Sequence, residues 1–474
     1  MNSWILGLLL GAQTFAVPAS QPPVQSVARP TQYVMIGFDG GLSLPTWQDM
    51  HAFTQEMKRD RKPLGFTYFV SGVYFLQNSN RNLYTGPHHK QGYSMISFGD
   101  NNQGISDRVD MMNTVFTDDQ EIASHANGHF HADEDKWNLA DWTSEFTQFN
   151  DFTFNAFFNN NMTPNNRYPQ GYAFAPKDVV GFRAPNLGST SDLFPALKNF
   201  GFTYDASTTG DMGDWPRKDA SGIWRYPVPL LNIAGTAKRT LGMDYNFYWV
   251  QSQAKEDLPN RELYRKQMYD TYMNYFMSSY YGKRGPVYIG HHFVRYNGGA
   301  YWDALKDFTR NVCGQPEVKC VTFKQYTQWL ESLNQDTLKA YRSGSFEKLP
   351  QPRRDAYIPA PVLDVNLALK QQGDEVSVLG EGKDFNRPEF QTVLKVNSKL
   401  LRTSKLNLQQ IREHFPKNTQ VSISAVVLNR RGQEVQRVTH LLEKIGTPSE
   451  HLNLTPEEKK ALVGDMPEAH EEAH

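Results

Sequence analysis

Short apolar runs that stop at a reactive side chain recur along the first part of this chain. Tyr33-Val34-Met35-Ile36-Gly37-Phe38 ends at Asp39-Gly40-Gly41, and Glu121-Ile122-Ala123-Ser124 enters a histidine segment. Val179-Val180-Gly181-Phe182 leads into Arg183, and Pro286-Val287-Tyr288-Ile289-Gly290 leads into His291. Gly65 to Ser71 is a further run rich in β-branched and aromatic residues. Runs of this length and composition predict buried strands. Between them the period changes to that of helices, from Pro45 through Trp47 and Met50, and again over Val109 to Phe116. The alternation of strand, loop and helix predicts a parallel sheet or barrel. In such folds chemistry gathers at the carboxyl ends of the strands, where Asp39, His125, Arg183 and His291 all fall.

The pattern changes after Thr322 to Leu333, an apolar-periodic helix. Leu349 to Pro361 carries four prolines among charged residues and reads as a linker. Beyond it Val362 to Leu369, Thr392 to Val396 and Val421 to Val426 alternate apolar with polar, and Arg430-Arg431-Gly432 suits a hairpin turn. The expected organisation is an α/β fold, a distorted (β/α) barrel over 30–335, followed by a linker over 336–361. A small all-β sandwich is expected over 362–445, and a flexible acidic tail over 446–474.

Composition narrows the partners. Lys and Arg total 49 against 50 for Asp and Glu in 474 residues, so no global field draws the protein to nucleic acid. Aromatic residues make up 13%, enough to leave rings for stacking on sugars after the core is filled. Trp4 to Leu10 is apolar but too short to span a bilayer, and with the small residues up to Ala16 and Ala19 it reads as a signal peptide over 1–19. A secreted or periplasmic protein with no membrane span is expected. The two cysteines, Cys313 and Cys320, flank a short loop that an oxidising compartment would close as a disulfide.

Candidate chemistry centres on Ser124-His125-Ala126-Asn127-Gly128-His129-Phe130-His131, where three imidazoles fall within seven positions. His125 and His129 are spaced to converge on one metal ion from a tight loop, although that spacing also arises in polar loops with no metal. Four further segments give it context. In order along Thr31 to Leu333, Gly37-Phe38-Asp39-Gly40-Gly41, Ser124 to His129, Arg183-Ala184-Pro185, and Val287-Tyr288-Ile289-Gly290-His291-His292 resemble motifs of the polysaccharide deacetylases, the NodB-homology or family 4 carbohydrate esterases. A looser motif built on Asp and Trp has Tyr204-Asp205 and Asp214-Trp215 as candidates for a groove wall.

The resemblance implies a metal-dependent polysaccharide N-deacetylase that hydrolyses N-acetyl groups of a GlcNAc-containing polymer, with peptidoglycan preferred over chitin. The implied cofactor is Zn2+ or another divalent transition metal held by His125 and His129. Asp39 is the implied base, Arg183 its orienting partner, and His291 the acid that protonates the leaving amine. Neighbours on a strand point to opposite faces, so only one of His291 and His292 meets the site, and His291 is taken as that one. The chain departs from the family at Gly40, which stands where the family has its metal-binding Asp. Compensation comes from Asp39 itself as a ligand, from His131, Asp133 or Asp205, or from water. Two further readings stay open: a metal-free carbohydrate-binding pseudoenzyme, and a hydrolase of another amide.

Overall fold

The computed structural model describes residues 27–351, 366–381, 390–396, 399–401, 403–409, 421–429 and 434–442. The expected signal segment, the tail 446–474 and the proline-rich part of the linker from 352 lie outside the described residues. Ten strands form the main sheet: β1 (Gln32–Gly40), β2 (Phe66–Val70), β3 (Glu121–Ser124), β4 (Gly181–Phe182), β5 (Tyr204–Asp211), β6 (Arg217–Lys218), β7 (Trp224–Asn232), β8 (Arg239–Leu241), β9 (Val287–His292) and β10 (Val318–Cys320). A parallel run β9-β1-β2-β3-β4-β5-β7 curls on itself. Antiparallel β8 pairs with β7, and just beyond it the Gly290 N–H donates to the Gly242 carbonyl at 2.9 Å. That bond brings β9 against the other edge, so the sheet is a distorted (β/α) barrel.

Alternation along the strands sorts their side chains into two cores. Tyr33 and Met35 of β1, Phe69 of β2, Ala123 of β3, Tyr204 and Ala206 of β5, and Tyr288 of β9 point inward. Phe323, at the start of helix Phe323–Ser332, joins this interior and lies within 5.7 Å, centroid to centroid, of Phe69, Tyr204, Tyr226 and Tyr288. Val34, Ile36 and Phe38 alternate with them and face an outer layer of helices, among them Leu44–Arg59, Asn102–Thr117, Leu139–Phe154, Arg261–Tyr280 and Tyr296–Val312. Local signals start these helices where the barrel needs them. Ser43 caps the first by accepting the Thr46 N–H, with Pro45 in its first turn. Asn138 and Asp141 form a reciprocal capping box on Leu139–Phe154.

The expected disulfide joins Cys313 and Cys320. Helix Gln335–Ser343 lies within the segment read as a linker, and its Leu338 and Tyr341 are buried against the interior cluster. Beyond the barrel, two small antiparallel sheets of three and four strands cover residues 366–442 in part. Leu369, Val376 and Leu406 from the first share an apolar cluster with Leu394, Val396, Ile423 and Ala425 from the second, which is the packing of a sandwich.

Candidate active site

Three strands deliver the site by the alternation that builds the interior. Asp39 follows Tyr33, Met35 and Gly37 on the inward face of β1, and its Cα partner across the parallel ladder is His292 of β9. His125 is two residues beyond inward-facing Ala123, and Arg183 is two beyond Gly181. Arg183 is fully buried. Its Nη1 donates to Asp39 Oδ1 at 2.6 Å, and its Nη2 donates to the Tyr288 hydroxyl at 2.7 Å, which in turn donates to the Ala206 carbonyl. The guanidinium lies 4.2 Å above the Phe69 ring. Burial pulls its pKa down, but the Asp39 carboxylate more than offsets this, so the cation is secure and Asp39 is aimed. Gly37 makes the approach feasible: a Cβ there would sit 2.7 Å from Phe69 and 3.0 Å from Arg183 Nη2.

The histidine segment is a strained loop held from several sides. Ala126 and His129 both take positive φ, at 54° and 59°. The Ala126 carbonyl accepts from Gly72 N–H, the Asn127 N–H donates to buried Glu145, and the Gly128 N–H donates to the Tyr84 hydroxyl. Such unfavourable backbone persists where its surroundings overdetermine it, and it concentrates at functional sites. His125 Nδ1 lies 2.8 Å from the Arg183 carbonyl. A carbonyl only accepts, so Nδ1 carries the proton and Nε2 keeps a free lone pair. The His125 and His129 rings are 5.4 Å apart. Burial lowers the His125 pKa. Burial, with repulsion from His125 and His292, drives His129 down to about 3. Both imidazoles are therefore neutral at physiological pH.

His291 lies on the opposite face of β9 from His292, with its Nδ1 3.5 Å from Asp244 Oδ2. It pairs with outward-facing Phe38, its ring is 5.9 Å from that of Phe38, and its Nε2 lies 3.1 Å from the Tyr272 hydroxyl in the helix layer. His292, paired with Asp39, is the inward member, is 22% exposed at its side chain, and is the histidine whose charge is felt at both His125 and His129. Its partner is Asp244, at the start of helix Asp244–Ser252. Asp244 Oδ1 is 2.6 Å from His292 Nδ1, and Oδ2 accepts the His292 N–H at 3.0 Å. Burial pushes the Asp244 carboxyl up, but attraction to His292 and His291 wins and holds it far below the usual carboxylate range.

Sequence reasoning missed Asp244. A carboxylate at the first helical position after Gly242-Met243 was the available signal, but nothing in the chain ties it to a histidine 48 residues away. The residues offered for the Asp and Trp motif go elsewhere. Asp205 is buried, pushed up to about 6 by that burial, and accepts from Ser207, whose Oγ in turn accepts the Ala184 N–H. It braces the Arg183-Ala184-Pro185 turn. Asp214 is an exposed loop residue accepting the Asp211 N–H. Trp215, Trp224 and Trp302 are core residues, each at most 7% exposed. His88 and His89, in the loop before the histidine segment, meet Asp141 and Asp135, and His89 stacks on Phe130 at 3.7 Å.

The donor set falls short of a zinc centre. His125 and His129 offer two neutral imidazoles, but among the described residues no group of three His, Cys, Asp or Glu side chains is arranged to hold an ion. Catalytic zinc takes three protein donors and a water. Asp39 is engaged by Arg183, Asp205 by Ser207, and His131 faces Glu134 at 3.8 Å. Gly40 and Gly41 both lie near φ 113°, a backbone suited to glycine, and a Cβ on Gly40 would point at Phe293 and Tyr74.

No family profile and no curated protein matches the chain. Solved structures do. A family 4 carbohydrate esterase from Streptomyces lividans, in complex with acetate, is 14% identical over 60% of this chain and 90% of its own, at a TM-score of 0.31. A Mycobacterium smegmatis structure described as a polysaccharide deacetylase is 16% identical over 70% of this chain and 100% of its own, at 0.38. A third structure, a family 4 carbohydrate esterase pseudoenzyme from Bacillus anthracis, is 7% identical over 63% of this chain and 66% of its own, at 0.33. At these identities and TM-scores, chemistry has to be argued from the side chains.

Proposed function

We propose that this protein is an exported hydrolase that removes N-acetyl groups from a GlcNAc-containing polysaccharide, with peptidoglycan as the preferred polymer. The observation that carries the reading is the pair of opposed, separately braced groups on adjacent strands: Asp39 held by Arg183, and His292 held by Asp244. An amide hydrolase needs a base to take a proton from attacking water and an acid to protonate the departing nitrogen. Asp39, aimed by Arg183, takes the proton as water adds to the acyl carbon. Asp244 accepts a hydrogen bond from His292 Nδ1–H and fixes the ring, and Nε2 delivers the proton to the departing nitrogen as the C–N bond breaks. The products are acetate and a free amine. A binder has no chemical need for either brace. The disulfide supports an oxidising compartment, and no helix among the described residues is long and apolar enough to cross a membrane.

Metal dependence belongs to the same proposal as a question for measurement. Two imidazoles are one donor short of a catalytic zinc, and no step above is routed through an ion. The short donor set favours a second reading, a carbohydrate-binding protein without turnover. Zinc content of the full-length protein, with acetate release from peptidoglycan and GlcNAc oligomers, separates the two. Acetate release that is lost in His292→Ala supports the hydrolase. Polymer binding with no acetate release, whatever the metal content, supports the binder.

A further inference from the structure

A cleft of about 510 Å³ is lined, among others, by Thr208, Asp214, Arg217, Arg225, Lys283 and Arg342. Four cationic side chains face one carboxylate, which is already occupied by the Asp211 N–H. The cations are poorly satisfied. Arg225 Nε and Arg342 Nε are buried with no hydrogen-bond partner, and neither Arg217 nor Lys283 makes an ion pair among the described residues. Arg225 feels the charge of buried Asp205, its Cα partner on β5, while Glu331 is bound to Lys218 and to Trp224 Nε1 and neither carboxylate lines the cleft. What holds the guanidiniums is mostly not charge: Arg342 donates to the Pro216 carbonyl at 2.7 Å, and Arg225 rests 4.7 Å above the Phe194 ring. Burial and the nearby Arg217 both lower the Arg342 pKa, so the cations crowd one another.

Like charges gathered around a concavity with unused buried N–H groups are costly without a counter-charge. We propose that this cleft is an oxyanion-binding site, in which Arg217, Arg225 and Arg342 take a phosphate or carboxylate group and the Thr208 and Thr209 hydroxyls contact its substituents. The inference is independent of the hydrolase reading, since none of these residues belongs to the Asp39 and His292 machinery. The two sources of such a group are a phosphate ester and an acidic sugar, and the test separates them.

Full-length protein is titrated calorimetrically at low ionic strength with inorganic phosphate and, separately, with trigalacturonate. Saturable binding of either anion is expected, weakened by added salt. Phosphate as the tighter ligand points to a phosphorylated compound, and trigalacturonate to an acidic glycan. Arg217→Gln, at an exposed position, should weaken binding about tenfold, and Arg217→Gln with Arg342→Gln by about 100-fold, one factor of ten per lost charge-assisted contact. Absence of saturable binding by both anions overturns the proposal. So does unchanged affinity in the Arg217→Gln variant together with Arg225→Gln.

Discussion

Replacing Glu145 with Gln isolates the electrostatic cost of the carboxyl that braces the histidine loop. Glu145 is 1% exposed on helix Leu139–Phe154. Its Oε1 accepts the Asn127 N–H at 2.9 Å, and the Tyr84 hydroxyl lies 3.2 Å from both oxygens. Burial lifts the carboxyl from its ordinary 4.5 to about 7, against the pull of those bonds. Because the folded value lies above the unfolded one, the protonated acid is tolerated below about pH 4.5. The ionised form then erodes stability as pH rises toward 7, and the loss is constant beyond. The gap corresponds to about 3 kcal/mol. Gln keeps the acceptor for Asn127 and cannot ionise, and Tyr84 can turn to accept from its amide. In urea unfolding followed by tryptophan fluorescence, wild type should lose about 3 kcal/mol relative to Glu145→Gln between about pH 4.5 and pH 8. Every other titrating group is common to both proteins and cancels in the comparison. Parallel pH profiles for the two proteins would refute the burial argument.

Three other changes probe the site and its frame. Asp244→Asn leaves an amide unable to accept both His292 protons, so kcat for acetate release should fall about 10²- to 10⁴-fold with a small change in KM; an unaltered kcat removes His292 from the acid role. Gly37→Ala forces a methyl to 2.7 Å from Phe69 and 3.0 Å from Arg183 Nη2. It should cost about 1–3 kcal/mol in denaturant unfolding, and a neutral result would show that the Arg183 seat is slack. Replacing Cys313 and Cys320 together by Ser releases a short loop, and thermal unfolding should register a loss of about 2–3 kcal/mol, with no effect on acetate release.

The sequence by itself determined the frame of this protein. An apolar run too continuous for a one-sided strand could only be buried on both faces, and Asp39, His125 and Arg183 follow such runs closely enough that any parallel barrel brings them to one mouth. The cysteine pair was legible because only a short loop separates the two thiols. Tertiary structure decided the rest. Whether His291 or His292 faces inward turns on the register of β9 against β1, and a shift of one residue exchanges the two faces. Asp244 reaches His292 only because the chain after β8 closes the barrel against β9 at Gly242 and Gly290. Among the described residues no third donor joins the two imidazoles, and Asp39 and Asp205 are already engaged, by Arg183 and by Ser207. Such choices depend on competition among neighbours brought together from distant parts of the chain, and a local pattern carries no record of that competition.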